Sequence, residues 1–283
     1  MNYLKTAILL AALAALLVFL GGLMGGRQGA IIGLVMAGVM NFGTYWFSDK
    51  IVLAMYRAKQ VDEKTEPELY SMVRDLSQKA GLPMPKVYTM ENDTPNAFAT
   101  GRNPSHAAIA VTTGIRSLLN KNELRGVLAH ELSHIQNRDI LIATLAATIA
   151  GAISYLSHMA MWFGMGNRND REGGNPIVLI VMMIVAPLAA MIIQMAISRS
   201  REYGADAGGA KISDNPLYLA EALKKLAYYN KRIPMRNTNE ATAHMFIVSP
   251  LSGGAVMKLF STHPPIEERV KRLEAMVYNR TEF

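Results

Sequence analysis

The chain contains no cysteine. That excludes disulfides, a thiolate-ligated metal and a cysteine nucleophile, and it is compatible with a reducing compartment. Aromatic residues make up 7% of the chain, and no run of Lys and Arg is interleaved with them. The formal charge of +7 therefore lacks the pattern of a nucleic-acid surface, and no nucleic-acid partner is expected. There is no internal repeat and no low-complexity tract beyond the apolar runs. Charge itself is missing from four long stretches. Residues 6–26, 28–48 and 173–198 carry none, and residues 140–166 carry only the titratable His158. Each stretch approaches or exceeds the roughly 20 residues that cross a bilayer as a helix.

What is present is apolar: 51% of the residues are hydrophobic and the mean hydropathy is +0.15. The first run is long for a signal-peptide core, and only Arg27 separates it from the second. A retained transmembrane hairpin is expected over residues 1–49 rather than a cleaved leader. The other two runs predict a second transmembrane hairpin over 140–198, with a buried helical pair in a soluble lobe as the alternative. Lys50, Arg57, Lys59 and Lys64 follow the second run, Arg125 and Arg138 precede the third, and Arg199 and Arg201 follow the fourth. The hairpin tips hold Arg27 in one case, and Arg168 and Arg171 beside Asp170 and Glu172 in the other. The bias predicts a multi-pass membrane protein with both termini on the cytoplasmic side. Its juxtamembrane cations would face anionic lipid. Residues 50–139 and 199–283 are then two parts of one cytoplasmic domain.

That domain carries His130-Glu131-Leu132-Ser133-His134, an H-E-x-x-H pattern. Helical residues four apart share a face, so His130 and His134 can ligate one metal ion from the same side. Glu131 is rotated about 100° from His130. It can stand beside the ion and take a proton from the attacking water. Asn120 is a candidate cap and Glu123 falls at the capping-box position. Leu124, Val127, Leu128, Leu132 and Ile135 recur at helical spacing, while Gly126 counts mildly against the helix. A catalytic zinc needs three protein ligands and an open position. Glu202, in Arg199-Ser200-Arg201-Glu202-Tyr203-Gly204-Ala205-Asp206, is the candidate third ligand. Asp206 lies one turn on and can accept a hydrogen bond from a ligand imidazole. Taken alone, this cluster also reads as a solvated charge group. No fourth His or any Cys completes a closed structural site. One zinc per chain is expected, and the mixed His/Glu donor set favours zinc among divalent ions.

HELSH followed by SRSREYGAD after an apolar hairpin resembles the HtpX family of membrane-bound zinc metallopeptidases, which are related to the CAAX prenyl endopeptidases. Asn96-Ala97-Phe98-Ala99, Asn137 and Asp139, and Thr262-His263-Pro264-Pro265 match further segments of that family. The resemblance covers nearly the whole chain. It implies a place in the cytoplasmic (inner) membrane, protein or peptide substrates, a stress-related quality-control role for misfolded membrane proteins, and a transition-state or supporting donor at His263. An ordinary His at a helix start is the alternative for His263.

The remaining pattern predicts a helix over 67–80, short strands at 86–89, 96–100 and 107–112, and helices over 216–229 and 264–278. Residues 231–254 receive no assignment. The expected fold class is α+β: a mainly helical zincin-like catalytic domain with a small β-sheet, plus transmembrane helical hairpins. Asn96, Ala97, Phe98 and Ala99 are candidate substrate-binding residues. Small alanines let a substrate strand approach, and Asn96 can bond its backbone; an ordinary turn and strand is the other reading of this segment. Between His134 and Glu202 the chain enters and leaves the second apolar pair, so spacing puts the metal near the cytoplasmic interface. The chemistry expected is metal-assisted peptide hydrolysis with His130, His134 and Glu202 as ligands and Glu131 as general base. A non-proteolytic zinc hydrolase of lipid-soluble substrates and a metal-bearing membrane scaffold are the other readings. His106 and His158 are expected to be bland, His244 is unassigned, and oligomeric state is not encoded in these features.

Overall fold

Local chemistry sets where the elements around the metal motif begin. The structure, a computed structural model, describes residues 2–141, 199–232, 247 and 264–278. Residues 142–198 of the expected second hairpin, His158, His244, His263 and nearly all of 231–254 lie outside the described residues.

The chain divides into two compact units, one containing residues up to Phe47 and the other beginning at Ser48. In the first, helix α1 (Asn2–Met55) breaks at Gly25 and Gly26, the latter at φ 55°. Glycine adopts that left-handed angle without steric cost. Past the break the backbone returns along itself, with Gly21 against Gly29 and Gly33 against the Leu17 carbonyl. Small residues permit that approach. Along the returning limb Ile32, Leu34, Val35, Val39 and Phe42 are exposed. Among the described residues, Gly25–Phe47 is the one helix long and apolar enough to cross a membrane, with a mean hydropathy of 1.5.

The second unit holds a mixed four-stranded sheet in the order β1-β2-β4-β3. The strands are β1 (Lys59–Val61), β2 (Lys86–Met90), β3 (Ala97–Gly101) and β4 (Ala107–Thr112). β1 runs antiparallel to β2, β2 parallel to β4, and β3 antiparallel to β4. Among the described residues β3 is therefore an edge strand. Thr112 N–H donates to the Asn96 carbonyl at 2.9 Å. By antiparallel alternation the peptide groups of Phe98 and Thr100 then point to β4, and those of Ala97 and Ala99 point away. Ala97, Ala99, Ile109 and Val111 belong to the core on one face. On the other face Phe98 packs against Tyr56, ring centroids 5.5 Å apart.

Helix α2 (Pro67–Lys79) starts at its proline, and α3 (Thr113–Leu118) at Thr112, whose hydroxyl accepts from Ile115 N–H at 3.2 Å. Helix α4 (Lys121–Gln136) is the centre of the unit. Asn120 Oδ1 accepts from Glu123 N–H at 3.0 Å and Glu123 Oε2 accepts from Asn120 N–H at 2.8 Å, a complete capping box. α4 packs on α2, on β3, and on α5 (Arg199–Ile212) and α6 (Pro216–Arg232). The side chains of Val127, Leu128 and Leu132 are fully buried among Leu76, Ile109, Leu219 and Leu223. Each leucine contributes on the order of 2–5 kcal/mol by truncation. Gly126 has a steric reason: a Cβ there would meet the α6 backbone, 2.6 Å from the Tyr218 carbonyl carbon. α7 (Ile266–Tyr278) closes the unit against α6 and α5.

Candidate metal centre

α4 and α5 cross where both lack bulk. A Cβ on Gly209 would come within 2.8 Å of His130 N, so glycine lets α5 lie directly on the His-bearing helix. This brings Glu202 opposite both histidines. One ligating atom from each of His130, His134 and Glu202 lies within 4.8 Å of the others. The two Nε2 atoms face each other at 3.2 Å. His134 Nε2 is 3.5 Å from Glu202 Oε1, and His130 Nε2 is 3.8 Å from Glu202 Oε2. Ligand bonds of about 2.0–2.1 Å at tetrahedral angles require edges of about 3.3 Å between donors. The donor set fits a zinc ion with little adjustment.

Carboxylates stand behind both rings. Asp139 Oδ2 lies 3.3 Å from His134 Nδ1, and Asp206 Oδ1 lies 3.0 Å from His130 Nδ1, although the latter approach is off the line of a good hydrogen bond. Both carboxylates lie on the Nδ1 side of their rings, while the two Nε2 atoms face the space they share with Glu202. Burial by itself would lower the pKa of His134. The Asp139 hydrogen bond and the charges of Glu202 and Glu131 outweigh it and lift the metal-free ring to about 9. Burial would raise Asp206, but Arg269 and His130 hold it down at about 2.

Glu131 lies 6% exposed between α4 and the sheet edge, and its Oε2 accepts from Ala99 N–H at 2.8 Å. Burial raises its pKa, against the pull of His130, His134 and that N–H. A carboxylate with raised pKa can take a proton from water and return it to an amine near neutral pH.

The structure brings His130, Glu131, His134, Glu202 and Asp206 together, with Ala99 beside Glu131. Ala97 and Ala99 lie along the open edge of β3. The Phe98 ring is turned to the opposite face, and Asn96 is 2% exposed, its Oδ1 accepting from Ile247 N–H at 3.4 Å. His106 is exposed and 2.8 Å from Asn103. The sequence reading gave no role to Arg269. This guanidinium is 0% exposed and grips Asp206 through Nε at 2.9 Å and Nη2 at 2.7 Å. A signal was available: Arg269 falls on the apolar stripe of Ile266, Val270, Leu273 and Met276, where a charge has no reason to be solvated.

Comparison with known proteins gives the family. The sequence profile of Peptidase family M48 matches residues 63–277. A Protease HtpX homolog of Syntrophotalea carbinolica is 59% identical over 280 residues, 98% of this chain and 99% of that one. One from Thermodesulfovibrio yellowstonii is 62% identical over 279 residues, again 98% and 99% of the two chains. In three dimensions the chain is similar to the crystal structure of S. mikatae Ste24p, with a TM-score of 0.52 at 18% identity. That alignment covers 96% of this chain and spans 65% of Ste24p. With the family profile on most of its length and near relatives along nearly all of it, the chain belongs to peptidase family M48 and is of the HtpX type.

Proposed function

We propose that this chain is a membrane-integrated zinc metalloendopeptidase of membrane or misfolded proteins. The observation that carries this reading is the position of Glu131. It is a buried carboxylate with the His130–His134–Glu202 donor set on one side and the outward N–H of an edge strand on the other. His130, His134 and Glu202 would hold a zinc ion, which would supply Lewis acidity to a carbonyl and to water. Glu131 accepts the proton of the attacking water and delivers it to the leaving amine. Asp206 and Asp139 keep the two imidazoles in the ligating tautomer.

The substrate is bound extended along β3, its backbone pairing with the outward peptide groups of Ala97 and the outward carbonyl of Ala99, whose N–H is held by Glu131. Methyl side chains at both positions leave room for that approach. Phe98 seats the strand, through its backbone pairing with β4 and its ring contact with Tyr56. Asn96, buried against Ile247 and Thr112, takes part in substrate binding by fixing the start of that strand. His263 is the further candidate donor for the developing oxyanion. A zincin-like arrangement of the catalytic parts at 50–139 and 199–283 is part of this reading. So are the transmembrane hairpins at 1–49 and 140–198, the cytoplasmic orientation and a role in stress-related quality control. The exposed apolar limb of α1 supports lipid contact.

The test is incubation of the detergent-purified chain with an unstructured model protein, with and without a chelator, and mass analysis of products. Cleavage at internal peptide bonds that stops on chelation is the expected result. An intact protein beside hydrolysis of small lipid-soluble esters or amides would replace endopeptidase with the other hydrolase reading.

A further inference from the structure

Arg269 has more N–H groups than Asp206 can take. Burial of a guanidinium is tolerated only where its donors are matched. Its Nη1 donates to the Ile247 carbonyl at 3.2 Å and lies 3.8 Å from Glu202 Oε2, while Nη2 lies 3.5 Å from His130 Nε2. The N–H of the same Ile247 donates to Asn96 Oδ1. Ile247 is 4% exposed and its side chain joins the core. Asn96 in turn is bonded to β4 by its own backbone: its N–H reaches Thr112 Oγ1 at 2.9 Å, and its carbonyl accepts from Thr112.

One residue is thus held at its N–H by a side chain at the start of the edge strand and at its carbonyl by a side chain at the metal ligands. We infer that Arg269 is a positioning residue that ties the metal-ligand helices to the start of β3 through the backbone of Ile247. One part of the guanidinium fixes Asp206, and through it the ring of His130. The other part fixes Ile247, and through it Asn96. The separation between the metal position and the substrate edge is set by this buried chain as well as by α4 itself. The catalytic meaning of the tie rests on the endopeptidase reading, but the tie itself does not.

The experiment uses the full-length chain in detergent and the variants Arg269→Lys, Asn96→Leu, Asn96→Asp and the double Arg269→Lys/Asn96→Leu. Lysine keeps a positive charge for Asp206 but cannot fork to Ile247, and aspartate keeps an acceptor where leucine does not. Amide exchange is read at single-residue resolution, alongside zinc dissociation and KM against kcat. Arg269→Lys and Asn96→Leu should each speed Ile247 exchange by about tenfold while leaving Val73 and Leu128 protected, and Asn96→Asp should restore protection. Arg269→Lys alone should also weaken zinc by about tenfold. The single variants should raise KM more than they lower kcat, and the double should cost far less than the product of the two. Unchanged Ile247 exchange in Arg269→Lys, or effects that multiply in full, overturns the inference. If the wild type cleaves no protein, the exchange and zinc measurements still decide the tie, and only the endopeptidase reading falls.

Discussion

Replacing Asp206 with alanine removes support from two partners at once. The carboxylate is 3% exposed, lies 3.0 Å from His130 Nδ1, and forms a two-pronged pair with a fully buried Arg269. Losing one member of a buried ion pair strands the other, at a cost of about 3–5 kcal/mol. Losing the carboxylate behind a ligand histidine costs about 10–100-fold in metal affinity. The two effects can be separated. In Asp206→Leu/Arg269→Leu both charges are gone, so most of the stability should return, because a buried pair replaced by apolar groups of similar volume is often close to neutral. Zinc affinity should stay low, since His130 has still lost its orienting group. Denaturant unfolding of the metal-free chain in detergent measures the first effect, and competition with a chromophoric chelator measures the second. Wild-type zinc affinity in the double variant, or an Asp206→Ala chain as stable as wild type, would refute the reasoning.

Other outcomes follow from the same geometry. Glu202→Ala should lose most bound zinc, as metal analysis after desalting would show, because the proposed three-donor set would be left with two imidazoles. Gly209→Ala should destabilise the chain by about 1–3 kcal/mol and weaken zinc binding, because the new methyl group would press on His130 and push α5 with Glu202 off α4. Unfolding and metal titration of that one variant check both effects. The charge bias along the sequence, rather than this geometry, predicts that Asn169→Cys reacts with an impermeant thiol reagent only from the non-cytoplasmic side; labelling from the cytoplasmic side would remove the second hairpin from the topology.

Much of α4 is legible because its signals are local. Asn120 and Glu123 are spaced for the capping box that forms, and the two histidines stand one turn apart. Glu202 and Asp206 are also one turn apart, but that they meet α4 depends on Gly209, whose missing Cβ marks no ligand in a sequence. Gly126, a blemish on helix propensity, is a contact point for α6. Long-range features were not legible. The parallel pairing of β2 with β4 leaves no imprint on either strand, and β1 is three residues with no alternation to detect. α3 is a single short helix behind a Thr cap. Arg269 is flanked by the charged Glu267, Glu268, Lys271 and Arg272, and only its place on the apolar stripe sets it apart from them. Asn96 reads as a polar residue at a strand start, and its burial against Ile247 depends on a residue far along the chain.

Glu131→Gln is the most direct probe of the central claim. Glutamine keeps the shape and can still accept the Ala99 N–H, but it cannot carry the proton. Wild type and variant should hold equal zinc, one per chain. Only the wild type should cleave an unstructured model protein, with the variant slower by about 10²–10⁴-fold. Equal zinc with equal cleavage would remove Glu131 from the chemistry and contradict the account.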